Sequence, residues 1–115
     1  MRVAAVVRDL IFWSRIFEAG SRSGAELIRV DSPADLPPPD QLDLVLVDWG
    51  ARSSDWGEQI IAWVGSGAAP PRVILFGPHT DLDAHAAAKS LGLGPMVARS
   101  QLPTTLVRAI EGGRA

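Results

Sequence analysis

The chain has 115 residues, 47% of them hydrophobic and 21% charged, with a formal net charge of −2, the profile of one ordinary globular domain around one core. It has no cysteine and two histidines, His79 and His85, which excludes disulfides, thiolate catalysis, cysteine metal sites and a histidine-rich metal cage. The arginines and the single lysine, Lys89, form no basic cluster, so no nucleic-acid partner is expected, and no apolar run approaches the roughly 18 residues of a membrane span.

The opening MRVAAVVRDL meets Arg8 and Asp9 too soon for a secretory signal core, and a cytoplasmic location is expected. Residues 3–7 are apolar without alternation, as in a strand buried on both faces. LIFWSRIFEAG reads as a helix with Asp9 as its N-cap and Gly20 as its stop. Its periodicity puts Trp13, Ile16 and Phe17 on the buried face. LIFW is apolar all round, so one of its rings should face outward or meet another chain. Residues 26–30 form a weaker strand. DSPADLPPPDQ then holds four of the nine prolines. Ser32 can cap a helix and Pro33 can start one, but the prolines at 37–39 stop it after about one turn. This crossover is therefore expected to be a stunted helix or an extended proline segment.

The next strand, 45–47 within LDLVLVD, runs directly into Asp48, Trp49 and Gly50. DWGEQIIAWVG is a helix with Asp55 near its start, and Trp63 shares the apolar stripe of Ile60. A strand at 73–76 ends on Gly77. DLDAHAAAKSLG is an alanine-rich helix, residues 95–98 are a weak fifth strand, and LPTTLVRAIEGG is a closing helix with Pro103 in its first turn. GSGAAP follows a helix rather than a strand and lacks the glycine spacing of a phosphate loop. GSRSG does not place serine as a nucleophile elbow needs it. With no asparagine there is no glycosylation acceptor. The start at Met1 and the finish just after the last helix are expected to bound a complete single domain, 1–115.

Strand and helix in alternation predict an α/β fold: a doubly wound, five-stranded parallel sheet with right-handed crossovers and a shortened or missing second helix. Ligand chemistry in such sheets lies at the carboxyl ends of the strands. Those ends read Arg8-Asp9, Asp48-Trp49-Gly50, Gly77 and Arg99-Ser100. Their spacing resembles the receiver domain of two-component response regulators, a flavodoxin-like module, along essentially the whole chain. DLVLVD resembles the segment ending in the phospho-accepting aspartate, which implies that role for Asp48. VVRD resembles VVDD or IVDD, which places the acidic pair on Arg8 and Asp9. RVILFGPH resembles the fourth strand, whose terminal hydroxyl residue is here Gly77. GLGPMVARSQLPTTLVRAI resembles GADDYLVKPFDPEELLARI, which puts Arg99 at the lysine position and Met96 at the aromatic switch position.

The resemblance implies a Mg²⁺ held by two acids and the acceptor, with a hydroxyl and a lysine on the phosphoryl oxygens. This chain departs at Arg8, Gly77, Arg99, Ser100 and Met96. Two carboxylates about 4 Å apart repel by about 4 kcal/mol at an effective dielectric of 20. Asp9 and Asp48 set against Arg8 and Arg99 sum to zero without a metal, and a guanidinium relieves such a pair with bidentate bonds. Mg²⁺ demands near-octahedral oxygen ligands, and only Asp9, Asp48 and the Gly50 carbonyl are on offer. One lost donor in such a role costs about 3 kcal/mol of barrier. The expectation is therefore a degenerate pseudo-receiver: no enzyme, no cofactor and no phosphorylation, acting in signal transduction as a protein-interaction module.

Its expected partner is another signalling protein or a second copy, with no membrane contact. The expected surface is the last two helices and the fifth strand, through Ala87, Leu91, Met96 and Leu102. Trp49 is expected to lie as a lid over the acidic site, or with Trp56 and Trp63 to form an aromatic patch for a partner. Two alternatives stay open. One is a working single-domain response regulator phosphorylated on Asp48, with Mg²⁺. The other is a binder of small anionic ligands at the same sheet edge.

Overall fold

The computed structural model describes residues 1–113. Five strands, β1 (Arg2–Val6), β2 (Glu26–Val30), β3 (Leu44–Asp48), β4 (Arg72–Gly77) and β5 (Met96–Ala98), form one sheet in the order β2-β1-β3-β4-β5. Every pairing is parallel, and the central register runs Ala5↔Leu46↔Ile74. Four helices, α1 (Leu10–Arg22), α2 (Trp56–Gly65), α3 (Leu82–Ser90) and α4 (Leu102–Gly113), cover the two faces among the described residues.

The strand runs lack alternation because each face has its own core. Val3, Ala5, Leu44, Leu46, Ile74 and Phe76 point toward α1 and α4. Ala4, Val6, Val45, Val47 and Leu75 point toward α2 and α3. A period-two strand between two apolar layers must be apolar at every position.

Asp9 caps α1 as expected, its Oδ1 accepting from the N–H groups of Ile11 and Phe12 at 3.1 Å each. The helix turns its face one position away from the expected one. Phe12, Ile16 and Gly20 are buried, Trp13 is half-buried, and Phe17 is 46% exposed. The reason is close approach: a methyl on Gly20 would sit 2.7 Å from Leu27 Cδ2, so the glycine edge of α1 settles on β2 and rotates Phe17 outward. Of the two rings of LIFW, Phe12 is buried and Trp13 half-buried, so the expected outward ring is not among them; the exposed ring of α1 is Phe17 instead.

The β2-to-β3 crossover contains no α-helix, only 3₁₀ turns at Pro33–Asp35 and Pro39–Gln41. Each begins on a proline, which fixes φ for the first turn and denies the ladder a second. The neighbouring helix fills the space. The indole N–H of Trp63 on α2 donates to the Pro37 carbonyl at 2.8 Å, so Trp63 lies half-buried against the crossover.

Candidate functional site

The strand order reverses between β1 and β3, the switch point where crevices open in such sheets. Asp9 follows β1 there and Asp48 ends β3. Asp48 is the one buried charged residue among the described residues, at 3% exposure. Arg99, in the 3₁₀ turn after β5, reaches across to it. Its Nη2 donates to both carboxylate oxygens of Asp48, at 3.1 and 3.2 Å. Its Nη1 lies 3.7 Å from Asp9 Oδ2.

The guanidinium also lies over the ring of Phe12, 5.2 Å from its centroid, while its buried Nε–H has no hydrogen-bond partner. The ring face supplies cation–π attraction that offsets part of that desolvation. Phe12 in turn packs against Phe76 at a centroid distance of 5.3 Å. The sequence assigned Phe12 no part in the site, only a place among the LIFW rings of which one should face outward. The available signal was its position three residues after Asp9, which sets it on the capped turn directly below the acid.

Burial raises the Asp48 carboxyl above its ordinary pKa of 3.8. The Arg99 charge and hydrogen bond pull it back, the Asp9 charge raises it again, and the Ala51 backbone N–H lowers it. Desolvation is the largest of these, so the guanidinium compensates the buried charge without fully cancelling its cost.

Arg8 does not share this work. Its Nε donates to the Asp31 carbonyl at 3.1 Å, and its guanidinium lies 5.7 Å from the Trp56 ring. It makes no ion pair with Asp9 or Asp48 among the described residues. The expectation of two arginines opposing two carboxylates is corrected: one arginine serves both acids. Side chains of successive strand-end residues diverge, so Arg8 points away from the crevice that Asp9 borders. Nor do the two arginines converge as an anion pocket would need.

Gly77 has no room for a side chain. A Cβ there would stand 2.8 Å from Met96 Sδ and 3.0 Å from the Gly50 nitrogen. A Cβ on Gly50 would in turn meet Pro78 Cδ at 2.7 Å. The turn after β3 has therefore closed onto the end of β4, with the Met96 sulfur filling the space beside Gly77.

Trp49 is not a lid. It is 1% exposed and enters the core under α3, where its indole N–H donates to the Ala84 carbonyl at 2.9 Å. Trp56 is buried in the same core, so the expected aromatic patch of Trp49, Trp56 and Trp63 does not exist at the surface. The expected interaction surface fails at two of its four residues. Leu102, the first residue of α4, is fully buried in the core and Met96 is buried beside Gly77. Ala87 is half-buried and Leu91 is 37% exposed. Two of the α3 alanines, Ala84 and Ala88, are fully buried against the chain's own sheet, while Ala86 is exposed.

No protein-family model matches the sequence, and no curated relative matches it. Solved structures do. A signal receiver domain from Vibrio parahaemolyticus aligns with a TM-score of 0.71 at 15% identity, over 98% of this chain and 92% of that one. A response regulator receiver protein from Burkholderia phymatum gives 0.70 at 15% identity, over 96% and 94%. A response regulator from Hahella chejuensis gives 0.67 at 19% identity, over 96% and 89%. The chain has the receiver fold.

Proposed function

We propose that this chain is a degenerate receiver domain that acts in signal transduction by binding another protein, without turnover and without phosphorylation of Asp48. The observation that carries this reading is the contact of Arg99 with both oxygens of Asp48, at 3.1 and 3.2 Å.

An in-line phosphoryl transfer needs a free carboxylate oxygen and preorganised positive charge on the transferred group. Here the positive charge is spent on the acceptor itself. A hydroxyl at position 77 has no space, and Arg8, at the acidic-pair position of the resemblance, brings no carboxylate to the crevice.

The residues do not fit a divalent metal ion. Asp48 is bridged by a guanidinium, and Asp9 uses Oδ1 to cap α1. Among the described residues no group of three His, Cys, Asp or Glu side chains converges. A cation that wants six oxygens in near-octahedral array would have to displace Arg99 and still lack ligands.

The competing reading, a relay phosphorylated on Asp48, keeps Asp9 and Asp48 but needs Arg99 to leave. The two are separated by incubation with a small phosphodonor and Mg²⁺, followed by intact-mass measurement. The expected result is no phosphate adduct. A stoichiometric adduct that disappears in Asp48→Asn establishes the relay instead. No helix among the described residues is long and apolar enough to cross a membrane, and a cytoplasmic place in the pathway is part of the proposal.

A further inference from the structure

Exposed large apolar side chains lie on α1 and β2, at Leu10, Ile11, Phe17 and Ile28, as well as on and just after α2 and α3, at Ile61, Leu82 and Leu91. On α1, Leu10, Trp13 and Phe17 follow the i, i+3, i+7 spacing of one helix flank. Leu10 is 62% exposed, Phe17 is 46% exposed, and the Trp13 and Phe17 rings lie 5.7 Å apart. The charged residues of α1, Arg15, Glu18 and Arg22, keep the same spacing on the other flank, where they border Pro103 of α4. Phe12 points toward Phe76 of β4 and Gly20 rests on Leu27 of β2, so the turn of the helix places the uncharged flank on the β2 side. Aromatic and uncharged is the composition of an interface centre.

Beside that flank lies β2, an edge strand with few of the usual guards. It contains no proline, and of its two charges Arg29 is turned onto the chain itself, while Glu26, with 82% of its side chain exposed, stands at the first position of the strand, outside the pairing proposed below. Glu26 pairs with Arg2 at 3.8 Å, and Arg29 bonds the Val7 carbonyl at 3.1 Å and Asp31 at 2.6 Å. The α-helix that would follow β2 is replaced by 3₁₀ turns, and Ile28 on that face is 39% exposed. The Glu26 N–H points inward, to the Met1 carbonyl. By strand alternation the N–H groups of Leu27 and Arg29 point outward, and no turn or loop among the described residues accepts them.

We propose that this edge, β2 with the uncharged flank of α1, is the interface of a two-fold dimer of the chain. The geometry is self-complementary. An antiparallel pair centred on Ile28 sets Leu27 opposite Arg29 of the second copy, and Arg29 opposite Leu27. Each pair exchanges both of its backbone bonds, and Ile28 meets its own counterpart in the close, non-hydrogen-bonded position. A two-fold axis normal to the sheet keeps the faces aligned, so α1 comes beside α1 of the second copy. Strands about 4.8 Å apart bring those helices near the 8–10 Å of packed helices, a gap that Trp13 and Phe17 fill. This pairing is independent of the chemistry of Asp48.

The test is sedimentation equilibrium of the full chain over a wide concentration range, with amide hydrogen exchange at low and high concentration. A monomer–dimer equilibrium is expected, with Leu27 and Arg29 amides slowing as concentration rises. Phe17→Glu and Arg29→Pro should each weaken association about tenfold or more. Arg15→Glu, on the other flank of the same helix, should leave it unchanged. Should Phe17→Glu lose its circular-dichroism signature, Leu10→Lys replaces it. A chain that stays monomeric at millimolar concentration overturns the proposal. So does a dimer indifferent to these changes, or one whose Leu27 and Arg29 amides exchange at the monomer's rate.

Discussion

Arg99 decides the chemistry of the site, and its effect can be read through pH. Asp48 has a raised pKa because it is buried, so the folded state holds the proton more tightly than the unfolded chain does. Its contribution to stability is therefore greatest below pH 3.8, the ordinary value, and is lost as pH rises through the raised folded value. Arg99 limits that loss by stabilising the carboxylate. In Arg99→Gln the folded pKa climbs further, so the loss continues to higher pH. Urea unfolding should show Arg99→Gln close to the wild type near the acid end and about 2 kcal/mol less stable at neutral pH. Adding Asp48→Asn should remove the pH-dependent part. A uniform difference across pH would mean that Arg99 acts by packing on Phe12 alone. Asp48 and Arg99 could both be picked out from the sequence, because each closes a strand whose end must lie at the crevice. That one arginine would serve both acids was not legible there, since it depends on where Arg8 and Arg99 point.

The turn after β3 and the end of β4 form one packed joint. Gly50, Gly77, Pro78 and Met96 meet there so closely that a methyl on either glycine would collide. Gly77→Ser, the change that would place a hydroxyl there, should therefore destabilise the fold by about 1–3 kcal/mol, as overpacking does. Chemical denaturation measures this directly. If the variant is as stable as the parent, the joint is loose and the missing hydroxyl is a matter of chemistry alone. At the element scale the sequence was most readable where one rule ruled. Helix caps, proline stops and unbroken apolar runs placed the strands and helices within a residue or two, but Gly20, the expected stop of α1, lies inside the helix, which runs on to Arg22. It was least readable where two faces competed for one helix, as on α1. There the contact of Gly20 with Leu27 chose Phe12 over Phe17 for the core.

The whole molecule has the receiver fold, and on the function proposed above its acidic crevice is already neutralised by Arg99. A cation that bound only the folded state would raise its stability, by about 2.7 kcal/mol at a hundred times its Kd. Millimolar Mg²⁺ is expected to leave the thermal midpoint where it is, because Arg99 already occupies the acidic crevice. A clear upward shift, lost in Asp48→Asn, would show that the guanidinium yields to metal. The sequence by itself determined the parallel sheet, the stunted crossover and the residues at each strand end. These follow from local periodicity, proline sterics and capping, which act within a few residues of chain. Only the tertiary structure decided which arginine neutralises Asp48, that Trp49, Met96 and Leu102 are interior, and that Phe17 is exposed. Those outcomes rest on side-chain direction and on contacts between segments dozens of residues apart, where a shift of a few tenths of an ångström chooses which groups meet.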